Sequence, residues 1–224
     1  MPSTEEEKGV IGDIMARYLA SNCKLCRKTD FKLFLKGSKC YSEKCALEKR
    51  KTIPGQHGAS KSKKKMTEYG LRMREKQRLR FSYGILEKQF SNYFDKAAKA
   101  RGVTGDNLLL QLEKRLDNIV FKLGFAASRI EARQLVTHGH FLVNKKRVSF
   151  PSFSVKAGDV IEIKEKSKEN ARIKEGLELL ARRGEVGWLE LDKEQLKGVV
   201  KYLPARDEMG ILIQEKLVVE FYSR

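Results

Sequence analysis

"RIEARQLVTHGHFLVNKKR", residues 129–147, changes its hydrophobic period halfway along, and that change decides the fold. Residues 129–139 read as a short helix that Ser128 can cap and Gly139 ends. Arg129 and Arg133 stand four apart on it and so share one face. From His140 the pattern becomes strand-like. "HFLVN" and "RVSF" flank a tip that carries Asn144, Lys145, Lys146 and Arg147. The turn "HGH", with His138 and His140, brings the chain back between helix and hairpin. Cations from the helix face and the hairpin could thus converge on one concave surface. Such a surface suits a folded nucleic-acid backbone better than a smooth duplex. The plainer alternative is a solvated charged face on a small stable domain.

Outward from this stretch the chain reads as mostly helical. "LLLQLEKRLDNIVFKL" (108–123) predicts one amphipathic helix with Leu108, Leu112, Leu116, Ile119 and Leu123 on its apolar stripe. Residues 67–100 predict helices, with Leu71, Leu79, Ile85, Leu86, Phe90 and Phe94 mostly at three- to four-residue steps. Arg72, Arg74, Lys76, Arg78 and Arg80 crowd the polar side of that stretch. "VTGDN" (103–107) is a turn and helix start. Downstream, "VIEIK" (160–164) alternates as a strand, and residues 170–183 return to helix. The closing "EKLVVEFYSR" reads as a strand packing back on the body.

Charge narrows the partner. The net charge is +18, which points to nucleic acid or an anionic membrane surface. The excess is concentrated: residues 16–101 hold 24 of the 47 basic side chains and 7 of the 29 acidic ones. "PGQHGASKSKKK" (54–65) is a turn running into a basic arm with Lys61, Lys63, Lys64 and Lys65. Apolar runs fall far short of the ~20 residues that span a bilayer. The N-terminus is acidic and has no apolar signal core, so a cytosolic, reducing location is expected and disulfides are not. Residues 1–14 differ in character from the rest of the chain. Lys8-Gly9-Val10 can be encoded as a ribosome-binding site ahead of a start at Met15, and a genuine disordered extension is the other reading.

All four cysteines lie in "CKLCRKTDFKLFLKGSKCYSEKC" (23–45). Cys23 and Cys26 form C-x2-C, and Cys40 and Cys45 form C-x4-C. Two such turns can aim four sulfurs at one point, as in closed structural zinc sites with Zn–S near about 2.3 Å. One zinc per chain would then act as the core of a segment poor in apolar residues. An iron–sulfur cluster uses the same ligands, and four ordinary buried thiols remain an alternative. Lys24, Arg27, Lys28, Lys39 and Lys44 would offset the thiolate charge and lower the thiol pKa values.

"SRIEARQLVTHGHFLVN" (128–144) resembles the small RNA-binding module named after ribosomal protein S4. "MARY", "CKLC", "FLKGSKCYSEKC", "PGQHG", "REKQRLRFSYGILEKQF", "GVTGDNLL", "LEKRLDNIVFKLGFAASR" and "IQEKLVVEFYS" are similar, in order, to the rest of that family in its bacterial, cysteine-containing form. The resemblance covers about residues 15–224 and implies an α+β fold. A mainly helical RNA-binding body with a metal-bound N-terminal segment would carry an inserted S4-type module, two helices packed on a short antiparallel sheet. The body would span 15–107 and be completed by about 211–224. The second domain would span 108–210, with the module at about 113–175.

The resemblance further implies a structural constituent of the small ribosomal subunit. It would bind 16S ribosomal RNA early in assembly, touch the neighbouring protein S5, influence decoding accuracy and repress its own operon mRNA. The implied RNA contacts are the arm lysines, Arg72, Arg74, Lys76, Arg78, Arg80, Arg115, Arg129, Arg133, Gln134, His138, His140, Asn144, Lys145 and Lys146. One departure stands out. The family commonly has Asn-Gly-Lys at the hairpin tip, where this chain has Asn144-Lys145-Lys146. Lys145 at the glycine position of a type I′ turn would cost on the order of 1 kcal/mol.

No catalytic pattern competes. His57, His138 and His140 have no nucleophile at a recognisable spacing, and neither H-E-x-x-H nor a P-loop occurs. Phosphate contact or loop packing suits them better. No small-molecule substrate or membrane partner is expected. The rival is an RNA-modifying enzyme of the pseudouridine synthase type carrying the same module, which would need a catalytic domain. A zinc-dependent DNA-binding protein would normally present a recognition helix, whereas these cations are dispersed.

Overall fold

A computed structural model of the chain describes residues 18, 20–50, 52–59 and 66–223. Residues 1–14, with the question of the start at Met15, lie outside the described residues, as do Lys61, Lys63, Lys64 and Lys65. The chain runs α1 (Asn22–Thr29), α2 (Ala46–Lys49), α3 (Glu68–Ser82), α4 (Glu87–Lys99), α5 (Thr104–Glu113), α6 (Leu116–Lys122) and α7 (Arg129–Thr137). Then come β1 (Phe141–Val143), β2 (Lys146–Arg147), β3 (Val160–Ile163), α8 (Ala171–Arg183), β4 (Leu189–Asp192), β5 (Lys197–Val200) and α9 (Glu215–Tyr222).

Two cores organise these elements. The body core gathers Leu79, Phe90, Phe94, Leu108, Leu109 and Leu112, closed by Met209, Ile213 and Val218 from the C-terminal end. α5 therefore belongs to the body, and the division falls near Lys114 rather than after residue 107. The module core gathers Leu116, Val120, Val136, Phe141, Ile161 and Trp188 under a five-stranded antiparallel sheet ordered β2-β1-β3-β5-β4. Its buried face follows the strand period of two: Phe141 pairs with Ile163, Val143 with Ile161, and Leu189 with Val200. The β4–β5 hairpin extends the expected sheet. Around the cysteines the core is small, with Leu25, Cys26, Leu33 and Leu35 buried.

Caps mark the helices that the sequence placed well. Thr67 Oγ1 accepts from Gly70 N (3.2 Å) ahead of α3, and Asn170 Oδ1 accepts from Arg172 N (3.0 Å) ahead of α8. Ser128 Oγ accepts from Glu131 N (3.3 Å), while Glu131 reaches back to Ala127 N (2.9 Å). Two expectations are corrected. The predicted helix over 108–123 is two helices, and the predicted C-terminal strand is α9. α9 is helical because Val218 and Tyr222, four apart, bury one face on α3 and α5; Tyr222 also stacks on Phe94 at 4.7 Å. Among the described residues no helix is long and apolar enough to cross a membrane.

Candidate nucleic-acid interface

The break between α5 and α6 creates the centre of the site. The backbone there is claimed by the loop after β2: Leu116 N donates to Phe153 O (2.9 Å), Asp117 N to Pro151 O (3.2 Å), and Val155 N to Lys114 O (2.9 Å). A continuous helix would need those groups for itself. The break turns Arg115 inward, to 1% exposure. Its Nε and Nη2 donate to Asp117 Oδ1 and Oδ2 at 3.0 and 2.5 Å, and its Nη1 donates to the Tyr93 hydroxyl at 2.8 Å. Burial alone would favour the neutral guanidine, but Asp117 outweighs it and Arg115 holds its proton more tightly than usual. Beside it, buried Glu113 accepts from the Tyr83 hydroxyl and from Asn118 Nδ2 (2.8 Å). Burial, then the Glu113 charge, pushes the Tyr83 phenol well up.

The α7 arginines are anchored on this joint. Arg129 Nε donates to Asn118 Oδ1 at 2.8 Å, and its guanidinium lies 4.8 Å from the Tyr83 ring and 4.7 Å from the Phe121 ring. Arg133 Nη1 donates to Asp117 Oδ2 at 3.3 Å. Both are half-buried, so the face is built through α6 rather than presented freely. Gln134 and His138 are exposed on the same helix end. His140 Nδ1 stands 2.9 Å from Ser167 Oγ. Burial, then the charges of His138 and Lys164, holds its imidazole below the usual range. Gly139 has φ 75°, and a Cβ there would stand 2.4 Å from Arg147 Nε. That position must be glycine for Arg147 to lie across the "HGH" turn.

The hairpin tip is a type I′ turn, with φ 50° at Asn144 and 65° at Lys145 between paired Val143 and Lys146. The departure at Lys145 is therefore real strain. Asn144 is structural as well: its Nδ2 donates to Asp159 Oδ1 (2.8 Å) and its Oδ1 accepts from Val160 N (3.0 Å). Lys145 and Lys146 are exposed. Arg147 joins the tip to the α7–β1 turn, while Arg129 and Arg133 gather with Arg115 around Asn118 and Asp117.

Two expected contact residues are interior, which corrects the sequence reading. Arg115 is one. Lys76 is the other, 4% exposed, with Nζ 2.5 Å from Glu87 Oε1 and 4.7 Å from the Phe221 ring centre. The rest of the α3 row is largely committed to the fold. Arg72 pairs with Glu68 (3.2 Å) and Glu220 (2.8 Å). Arg78 pairs with Glu75 and donates to Thr29 O at 3.0 Å, tying α3 to the cysteine segment. Arg80 stands 3.4 Å from Glu87. Among the described residues Arg74 is the one of the five without an ion pair.

Cys23, Cys26, Cys40 and Cys45 are free thiols lining one small pocket with Lys32, Lys36 and Lys39. Lys36 N donates to Cys40 Sγ at 3.3 Å. Among the described residues no three His, Cys, Asp or Glu side chains are placed to hold a metal ion. The chemistry of the donor set fits a thiolate-bound metal even so: four thiols line one pocket, one already accepts a backbone N–H, and Lys32, Lys36 and Lys39 stand around them. Burial pushes the Cys26 and Cys40 thiols up, outweighing the backbone N–H groups of Leu33 and Lys36. The segment docks on the module through Gly37, where a Cβ would stand 2.8 Å from Ala127 Cβ.

Sequence reasoning missed the organisers Asp117, Asn118 and Arg183. Arg183 Nη2 donates to Ala126 O (3.1 Å) and Ala127 O (2.9 Å), so it fixes the entry to α7. It also missed Gln89, Asn92 and Lys96, whose i, i+3, i+7 spacing already marked a polar stripe on α4.

A basic helical body joined through a buried polar network to a cationic helix-and-sheet module defines a two-part RNA-binding protein. Residues 17–113 match the model of the ribosomal protein S4/S9 N-terminal domain, and residues 114–161 match the S4 domain. The seam between those matches is the α5–α6 break. The chain is 56% identical over 210 residues to the small ribosomal subunit protein uS4 of Geotalea uraniireducens (strain Rf4), covering 94% of this chain and all of the relative. The uS4 proteins of Syntrophus aciditrophicus (strain SB) and Thermodesulfovibrio yellowstonii are 56% and 53% identical over the same lengths. The chain belongs to the ribosomal protein S4 family.

Proposed function

We propose that the chain is a structural constituent of the small ribosomal subunit that binds 16S ribosomal RNA, works in the cytoplasm and catalyses no reaction. The observation that carries this is the full-length match to uS4 proteins at more than half identity. The geometry gives it a mechanism. Two cationic units, each with its own core, are welded at the Arg115–Asp117 joint, so RNA helices bound to both would be held in one arrangement. Neutralising closely packed phosphates makes such binding steeply salt-dependent. An RNA-modifying enzyme carrying the same module is not favoured, because relatives matching along their whole length are ribosomal proteins.

The proposal includes one structural zinc on Cys23, Cys26, Cys40 and Cys45, with an iron–sulfur cluster as its alternative. The four thiols lining one pocket and the small apolar core beside them support it. The metal would supply cross-linking rather than chemistry. Contact with S5, a role in decoding accuracy and repression of its own operon mRNA come from the family alone and complete the proposal.

The test is binding of the full chain to a 16S transcript across a salt series, with metal analysis of protein purified without air. Specific binding with log affinity falling steeply against log salt is expected, with one zinc per chain and no visible absorbance. Binding no tighter than to unrelated RNA sinks the ribosomal reading. Iron and sulfide would replace zinc by a cluster, and folded RNA-binding protein without metal would remove the metal centre.

A further inference from the structure

We infer that the polar cleft between α4, the α5–α6 break and the loop after β2 receives a single RNA nucleotide swung out of its helix. This rests on the RNA-binding reading and adds a subsite to it. The cleft has a volume of about 420 Å³, within the range of small-ligand pockets and too small for a duplex. Lys96 and Lys114 line it, with the buried Arg115 in its wall, and no carboxylate does. Arg115 is spent inside the protein, its Nε and Nη2 on Asp117 and its Nη1 on the Tyr93 hydroxyl, so Lys96 and Lys114 supply the charge of the cleft.

The remaining lining separates a nucleotide from simpler ligands. Gln89, Asn92 and Gln111 present three amides, each both donor and acceptor. A bare phosphate has no use for amide acceptors, whereas a base edge and a ribose 2′-hydroxyl use both kinds of group. The loop that supplies Ser152 and Ser154 to the wall also carries Phe150, 71% exposed, and Phe153, 37% exposed. Exposed aromatic rings are the means by which unstacked bases are held, and this loop presents two within two residues of the cleft wall in sequence.

Two variants of the full chain test this against a 16S transcript. Asn92→Ala with Gln111→Ala removes base and ribose contacts. Lys96→Ala with Lys114→Ala removes charge. None of the four side chains is buried, and unchanged urea midpoints will show that both variants fold. Base-edge chemical probing is expected to show one nucleotide, protected by the wild type, regaining reactivity in the amide variant while other protections stay. Affinity should fall about tenfold in each, since one well-made polar contact is worth about 1–2 kcal/mol. The lysine variant should also shallow the salt slope by about one to two units. Wild-type binding with no nucleotide exposed by the amide variant overturns the cleft alone. A wild type that does not bind the transcript overturns the ribosomal reading and the cleft with it.

Discussion

Lys145 and Asp117 are single residues at which opposite forces dominate. Lys145 holds φ 65° although a side chain with Cβ is penalised there. Its exposed ammonium stands at the hairpin tip, so the strain is accepted where charge is useful. Lys145→Gly is expected to raise stability by about 0.5–1 kcal/mol, or about 1–4 °C in Tm, while weakening RNA binding. Paired thermal melts and binding curves check it, and a lower Tm would mean that the turn is not strained. Asp117 is the reverse case. It accepts from Arg115 at 3.0 and 2.5 Å and from Arg133 at 3.3 Å, at 4% exposure. Asp117→Asn leaves a buried guanidinium without its counter-charge, so a loss of about 3 kcal/mol is expected in urea unfolding. A loss under about 1 kcal/mol would mean that water reaches the pair and that the joint is softer than its geometry.

At the scale of elements, local signals decided α7, β1, β3 and α8, where caps and period agreed with the final packing. They failed where distant chain decided. "VVEFY" (218–222) has β-branched and aromatic residues, so propensity favoured a strand. The face buried by Val218 and Tyr222 made it helix instead. The stripe over 108–123 was continuous, and only carbonyls from Pro151 and Phe153 broke it. β4 carries two acids in "LELD" and β5 a glycine in "KGVV", so neither registered as a strand although each is as long as β3. α9 also carries a pH response. Burial would raise Glu87, but hydrogen bonds from Lys76 and Tyr222 outweigh it and hold its carboxyl below the usual range. Glu215 is held low first by its hydrogen bond from Arg206. The unfolded chain therefore binds more protons in acid. The contribution of both groups is full above about pH 4.3 and lost as pH falls through their folded values. Amide exchange corrected for intrinsic rates should show α9 losing protection before α5 and α6 between about pH 5 and 3. Simultaneous loss would mean that α9 docks by apolar packing alone.

For the whole molecule, the kind of partner was legible and the face was not. Composition and the concentration of charge in residues 16–101 pointed to nucleic acid without any structure. Which cations stay unpaired depended on acids far away in sequence, such as Glu220, 148 residues from Arg72. Arg129 and Arg133 are half-buried and hydrogen-bonded to the joint, so their removal mixes two effects. Arg129→Ala with Arg133→Ala should weaken RNA binding and shallow the salt slope, but also lower stability by loosening Asn118 and Asp117. Lys145→Ala with Lys146→Ala changes two exposed residues at the hairpin tip, remote from the joint. Stability should therefore stay within about 0.5 kcal/mol while the slope shallows by about one to two units. Salt titrations and urea unfolding on both pairs separate the roles. Equal slope changes with no loss of stability in the arginine pair would mean that α7 presents its charge independently of the joint. In that case the two halves would bind RNA as separate units, and the weld at Arg115 would not set the angle between them.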